Sequence, residues 1–187
     1  DARRLIAASG DLHYYLESLR RFKPYALSEP EEKVVNLKDV NGREGLVKVY
    51  GILTNGFSYR LEVDGQTQTL TRDGLGRYYH HPSPDVRRAA YNELNRVYAE
   101  NKTVLAQIYA LLARDLRAEA VNLRGFASPI SVRNLGNDIP DPVVRTLLEV
   151  CRRNTGLYQR YFKLKARLLG MDRLRRYDIY APVAQSD

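Results

Sequence analysis

The three histidines of this 187-residue chain, His13, His80 and His81, are the first candidates for metal or acid–base chemistry. A catalytic zinc ion needs three protein ligands, and the usual helical source of two of them is the H-E-x-x-H motif. Neither His80 nor His81 is followed by the glutamate and second histidine of that motif. We therefore predict no metal ligand and no catalytic residue in this chain and expect local hydrogen bonds from the imidazoles. The sequence does not indicate substrate-binding residues.

Cys151 is the single cysteine, so an internal disulfide is impossible. It falls on the predicted buried face of a helix, and no histidine lies near it in sequence to activate a thiolate. We interpret it as a small core residue rather than a nucleophile. This use of cysteine is typical of a reducing compartment and predicts a cytoplasmic protein.

Two aspartates near the end of the chain, Asp172 and Asp178, could imitate a paired-carboxylate site together with Tyr177 and Tyr180. The interpretation that we prefer is structural: Asp172 caps a short helix, and Asp178 forms a hydrogen bond in a turn. Residues 74–76, Gly-Leu-Gly, are too short a signal to indicate a phosphate-binding loop.

Composition indicates a soluble globular protein, with 44% hydrophobic and 28% charged residues. The longest apolar runs are too short to span a bilayer, so no membrane segment is predicted. The formal net charge is +8, but the basic residues are spread along predicted helices, without a basic tail or a nucleic-acid-binding signature. We read the arginine pairs as solvated faces; they are Arg3-Arg4, Arg20-Arg21, Arg87-Arg88, Arg152-Arg153 and Arg175-Arg176.

Residues 1–187 are predicted to form one helical domain with a single β-hairpin. A first helix is expected to reach about Phe22, and Ser28, followed by acidic residues, predicts the start of a second. Residues 57–71 alternate in polarity around Asp64-Gly65, which predicts an antiparallel hairpin because both turn positions favour positive φ. A short helix or loop should follow.

Several helix boundaries are marked after the predicted hairpin. Ser83-Pro84 predicts a helix to about Glu100, and a second helix over 101–124 should pack antiparallel to it or continue it as one bent helix. Ser128-Pro129 begins a short helix. Asp141-Pro142 begins a long one that ends at Gly170, and the polar interruption Asn154-Thr155-Gly156 favours a bend in it. Its predicted core face holds Val144, Leu147, Leu148, Cys151, Tyr158, Phe162, Lys165, Leu168 and Leu169.

Four phrases together resemble the oligoendopeptidase F family of zinc metallopeptidases, which is related to thimet oligopeptidase. They are LESLRRFKPYALSEPEEK (16–33), PSPDVRRAAYNEL (82–94), LRGFASPISVRNLGNDIP (123–140) and YQRYFKLKARLLGMDRLRRYDIYAPV (158–183). In that family these phrases lie ahead of the half that bears the zinc motif. The resemblance thus identifies the chain as an N-terminal, non-catalytic region.

The resemblance implies a helical, neurolysin-like fold whose N-terminal part forms one wall of a channel. The parent enzyme would be a zinc metalloendopeptidase that hydrolyses short peptides, and the partner of this region would be the missing catalytic half of the same polypeptide. This chain by itself is predicted to hold no zinc and to be inactive. The alternative is a stand-alone basic helical module that binds protein or nucleic acid, although nucleic acid is disfavoured.

Overall fold

The computed structural model describes residues 2–183, apart from the side chain of Arg3, and most of this part of the chain is helical. The helices are α1 (Ala2–Ala7), α2 (His13–Phe22), α3 (Glu29–Asn41), α4 (Arg43–Asn55), α5 (Arg72–Gly76), α6 (Pro84–Glu100), α7 (Lys102–Leu116), α8 (Pro129–Gly136), α9 (Asp141–Arg153) and α10 (Thr155–Leu168). Strands β1 (Tyr59–Val63) and β2 (Gln66–Leu70) form the hairpin. A π-helix (Arg117–Leu123) follows α7 directly, and four short 3₁₀ turns complete the elements.

The predicted helix starts are confirmed by their hydrogen bonds. The backbone N–H and the hydroxyl of Ser28 both donate to the Glu31 carboxylate, at 2.9 and 2.6 Å. The Ser128 hydroxyl accepts from the Ser131 N–H at 3.3 Å. These contacts satisfy polar groups that a helix terminus would otherwise leave without partners.

The predicted hairpin is also confirmed. Asp64 and Gly65 have φ values of 53° and 75°, as a two-residue turn with both central residues left-handed requires. The strands pair antiparallel from Tyr59 opposite Leu70 to Val63 opposite Gln66. The predicted fold class, mainly helical with one small β-hairpin, is therefore confirmed.

The chain groups into two compact units, and both are built from segments distant in sequence. Unit 1 comprises Asp1–Leu46 and Tyr109–Glu149, and unit 2 comprises Val47–Ile108 and Val150–Asp187. In unit 1, the rings of Tyr25 and Phe126 stack with their centroids 3.6 Å apart. The single domain expected over 1–187 stays a prediction.

Unit 2 has its core where the hairpin packs on α6. Every second side chain of β1 points inward, so that Tyr59, Leu61 and Val63 are buried together. They join Leu75, Ala90 and Val97 in one cluster. The alternation in the sequence thus corresponds to one covered and one open face of the hairpin.

Two helix predictions are refined by the structure. The helix expected to reach Phe22 is interrupted, because Gly10 adopts φ 55° and a 3₁₀ turn separates α1 from α2; Asp1 lies outside the described residues. The second prediction left two arrangements open for the helices on either side of Asn101. The Asn101 N–H donates to Val97 O at 3.3 Å and its carbonyl accepts from the Leu105 N–H at 3.2 Å, so helical hydrogen bonds continue through Asn101. Its φ of −101° and ψ of 7° depart from helical values.

The prediction that one face of α9 and α10 is core was largely wrong. Leu147, Leu148, Tyr158 and Leu168 are exposed, although Lys165 is buried. Cys151, expected as a small core residue, is exposed as well. A 3.6-residue period shows that one face of a helix is apolar, but it does not show that the same chain covers that face.

Within residues 2–183, no helix is long and apolar enough to cross a membrane.

Candidate functional site

The histidines form separate local contacts. His13 Nδ1 lies 2.9 Å from Ile6 O in unit 1. In unit 2, His81 Nδ1 accepts from the Ser83 N–H at 3.1 Å, and the His80 ring lies 5.5 Å from the Tyr180 ring. The contacts of His13 and His81 are local, as expected from the sequence, whereas His80 lies against a ring that is distant in sequence.

Asp178 is fully buried and forms an ion pair that the sequence did not suggest. Its Oδ1 accepts from Arg87 Nη2 at 2.8 Å, and its Oδ2 accepts from the Arg175 N–H at 3.0 Å. The turn hydrogen bond predicted for Asp178 is thereby confirmed. Arg87 Nη1 also donates to the carbonyls of His81 and Pro82, both at 2.7 Å.

Arg87 corrects our reading of the Arg87-Arg88 pair as a solvated face, since its side chain is buried. The sequence contains a pattern that indicates the burial of Arg87. Arg87 precedes Ala90, Leu94 and Val97 at helical spacing, so it occupies the apolar stripe of α6. A cation in such a stripe requires a buried acidic partner.

The other candidates in this region do not form a catalytic pair. The short helix that Asp172 was expected to cap is absent: Asp172 lies in an exposed bend, and the next helical turn begins at Arg176. The Asp178 carboxylate is occupied by Arg87, while the Tyr177 hydroxyl accepts from Arg175 at 2.8 Å. Residues 74–76 belong to α5, which agrees with the short helix or loop predicted after the hairpin.

Within the described residues, one group of carboxylates comes close enough to suggest a cation. Oxygen atoms of Asp39, Asp115 and Glu119 in unit 1 lie within 4.8 Å of one another. Two of these carboxylates already have cationic partners: Arg43 binds Asp39 at 2.8 Å, and Arg124 binds Glu119 at 2.7 Å. Burial raises the pKa of Asp115, which favours its neutral form.

This group does not fit a catalytic zinc ion. Such a site uses at least one imidazole or thiolate among three ligands and leaves a position open for water. The three side chains of the cluster are all carboxylates, and His13 binds Ile6 O on another element. The described residues thus provide no zinc centre, and we assign no catalytic step to them.

Unit 1 contains a cavity of about 370 Å³ whose lining includes aromatic, aliphatic and charged side chains. Its lining residues are Phe22, Tyr25, Ala26, Glu32, Arg43, Leu116, Glu119, Ala120, Arg124, Phe126 and Val132. Arg124 binds both Glu32 oxygens, at 2.7 and 2.9 Å, and Glu119 at 2.7 Å. These charged lining residues are thus already paired, so the cavity suits an apolar group better than an ion.

The Arg124 ion pair predicts an acid-dependent loss of stability. Hydrogen bonds from Arg124 lower the pKa of Glu32 to about 2 in the folded protein, from about 4.5 when unpaired. Between these values the unfolded chain binds more protons, so the free energy of unfolding rises with pH. We expect the stabilisation by Glu32 to be complete above about pH 4.5 and lost towards pH 2.

Urea denaturation at pH 5 and pH 3 measures this effect. Glu32→Gln should lower the urea midpoint more at pH 5 than at pH 3. In an Arg124→Met background the same substitution should have little effect at either pH, because the partner cation is gone. An equal effect of Glu32→Gln at both pH values would contradict the role of this ion pair.

The sequence of this chain is similar to a family of peptidases and to individual oligopeptidases. Residues 77–186 match the family model described as Peptidase family M3. Group B oligopeptidase PepB of Streptococcus agalactiae is 25% identical over 178 residues, covering 93% of this chain and 29% of the relative. Oligopeptidase PepF of Bacillus subtilis is 23% identical over 175 residues, covering 91% of this chain and 26% of the relative.

The fold is that of a solved relative. The crystal structure of oligoendopeptidase-F from Enterococcus faecium has a TM-score of 0.81 at 23% sequence identity. The match covers 92% of this chain and 34% of that one. The chain therefore spans between about a quarter and a third of the length of these relatives.

The resemblance predicted from the four sequence phrases is confirmed. The family model covers residues 77–186, which is more than half of the 187 residues. The relatives extend the similarity to nearly the whole chain. On these grounds the chain belongs to peptidase family M3.

Proposed function

We propose that these 187 residues are the N-terminal, non-catalytic region of an oligoendopeptidase F-like zinc metalloendopeptidase that hydrolyses short peptides. The observation that carries this proposal is the coverage: the chain matches only 29% of its oligopeptidase relative, although 93% of the chain itself is matched. The absence of H-E-x-x-H from the sequence agrees with it. The zinc ligands and the catalytic base would come from the remainder of the polypeptide.

The role of this region would be to form one wall of the channel that admits short peptides. Helices with exposed apolar faces suit such a role, because a larger body would cover part of them. Among the exposed side chains are Leu147, Leu148, Leu157 and Leu168. The partner of the region is thus the catalytic part of the same polypeptide, and we propose a cytoplasmic location from the single unpaired cysteine.

Activity measurements test this proposal. The purified chain should not cleave a quenched fluorescent peptide and should bind no stoichiometric zinc by metal analysis. Joining it to the remaining part of the polypeptide should produce cleavage that a chelator abolishes. Chelator-sensitive cleavage by the 187-residue chain alone would overturn the assignment as a non-catalytic region.

The alternative of a stand-alone basic module makes a different prediction. With a formal net charge of +8, nucleic-acid binding would weaken steeply with salt, because phosphate contacts release counterions. Titration with a labelled oligonucleotide at low and high salt separates the two hypotheses. We expect no salt-dependent complex.

A further inference from the structure

The cavity of about 370 Å³ in unit 1, which we call the unit 1 cavity, is lined mostly by apolar side chains. Phe22, Tyr25 and Phe126 contribute aromatic rings, and the last two stack with an angle of 10° between their planes. Leu116 and Val132 contribute aliphatic groups. A concave and mainly apolar surface of this size is typical of a small-molecule site.

The unit 1 cavity has room for two fused rings. Apolar cavities of about 150 Å³ accept benzene, and the unit 1 cavity is more than twice as large. Ala26 and Ala120 help to leave this space, because each lines the cavity with a single methyl group. The available volume therefore suits a compact ligand of one or two rings.

The charged side chains of the lining have partners within the protein. Arg124 binds Glu32 and Glu119, both at 2.7 Å, and Arg43 binds Asp39 at 2.8 Å. A charged ligand would have to compete with these ion pairs or enter without a partner, and an unpaired charge is costly to bury. The cavity thus favours a neutral ligand over an anion or a cation.

One wall of the cavity is built on an uncommon backbone conformation. Glu119 and Ala120 belong to the π-helix, and the Arg124 N–H donates to Glu119 O at 2.9 Å, which is the five-residue step of such a helix. Short π-helical segments are rare and occur frequently at functional sites. This backbone feature is independent of the lining chemistry, and it favours a binding role at the same place.

We propose that the unit 1 cavity binds a small neutral aromatic molecule of one or two rings. The rings of Tyr25 and Phe126 offer stacked or edge-to-face contacts, which stabilise an aromatic ligand beyond the burial of its area. The paired charges provide the selectivity for a neutral molecule, and the volume limits its size.

Indole is the probe that tests the proposal with the intact chain. Because the sequence contains no tryptophan, indole emission can be excited selectively, beyond the absorption of tyrosine. We expect a saturable shift of this emission to shorter wavelength as indole enters the apolar cavity. Indole-3-acetate and tryptamine, which carry opposite charges, should bind at least about tenfold more weakly than indole.

A pair of competitors separates aromatic from merely apolar binding. Phenol and cyclohexanol have the same number of heavy atoms and the same hydroxyl group, but only phenol has an aromatic ring. Phenol should displace indole at a concentration at least about threefold lower than cyclohexanol, because only phenol gains the ring contacts. Equal displacement by the two would overturn the assignment of an aromatic ligand.

Substitutions assign the binding to the unit 1 cavity. Val132→Phe places a larger side chain in the lining and should weaken indole binding at least about tenfold. Ile130→Phe is the matched control, because Ile130 lies on the same helix, is 55% exposed and does not line the cavity; it should leave the affinity unchanged. Ala26→Leu fills the cavity from an exposed position outside the helices and should act like Val132→Phe.

Circular dichroism of each variant checks that the helices remain, and Ala26→Leu decides the result if Val132→Phe unfolds. Absence of indole binding would overturn the proposal, as would equal binding of indole and its charged derivatives. Unchanged binding in a folded Ala26→Leu variant would place the ligand elsewhere and overturn it too. Indole binding that disappears when the chain is joined to the remaining part of the polypeptide would make a segment of that polypeptide the occupant instead.

Discussion

Asp178→Ala is expected to lower the free energy of unfolding by about 3–5 kcal/mol, the usual cost of removing one partner of a buried ion pair. The substitution leaves the Arg87 guanidinium in a buried position without its carboxylate. Arg87 Nη1 would keep its two carbonyl acceptors, but Nη2 would lose its carboxylate, and within the described residues Nε has no hydrogen-bond partner. Urea denaturation followed by circular dichroism measures the loss.

The adjacent arginine provides a matched control. Arg88 forms an ion pair with Asp85 at the same 2.8 Å, but both side chains are exposed. Arg88→Met should therefore cost less than about 1 kcal/mol. Replacing the buried pair together, Arg87→Met/Asp178→Leu, should recover part of the loss, because no charge then remains buried. Equal losses for Asp178→Ala and Arg88→Met would contradict a special role for burial.

Leu75→Ala is expected to cost about 2–5 kcal/mol, because it opens a cavity in the core of unit 2. Leu75 is fully buried and belongs to the cluster that joins the hairpin to α6. The loss combines the transfer free energy of the deleted atoms with the dispersion contacts that their neighbours no longer make. It should be measured as a shift in urea midpoint with little change in slope.

Leu157→Ala is the control for this prediction. It removes the same atoms from a side chain that is 55% exposed on α10. A surface substitution of this kind usually changes stability by no more than about 0.5 kcal/mol. A loss as large as that of Leu75→Ala would contradict the exposed position of Leu157.

Local signals in the sequence predicted most element boundaries. Ser28 and Ser128 precede helices because their side chains form hydrogen bonds at the first turn. After Ser83 the helix begins with Pro84, whose missing N–H costs nothing at the first helical position. Asp64-Gly65 fixed the hairpin for an equally local reason, since its turn needs two positive φ values. The interruption at Gly10 was not predicted, because the first helix was predicted from its apolar period and a single glycine changes that period little.

The membership in peptidase family M3 was also visible in the sequence, in four ordered phrases, and similarity to relatives confirmed it. The lack of an H-E-x-x-H motif is likewise a property of the sequence alone. From these two facts follows the proposal that catalysis belongs to another part of the polypeptide.

Pairing between distant residues was decided only by the tertiary structure. Arg87 and Asp178 are far apart in sequence, and Arg124 reaches Glu32 in the same way, because folding brings their helices and turns together. The exposure of Cys151 and of the leucines of α10 was equally hidden. The period of a sequence determines which face of a helix is apolar, whereas only the packed chain determines whether that face is covered.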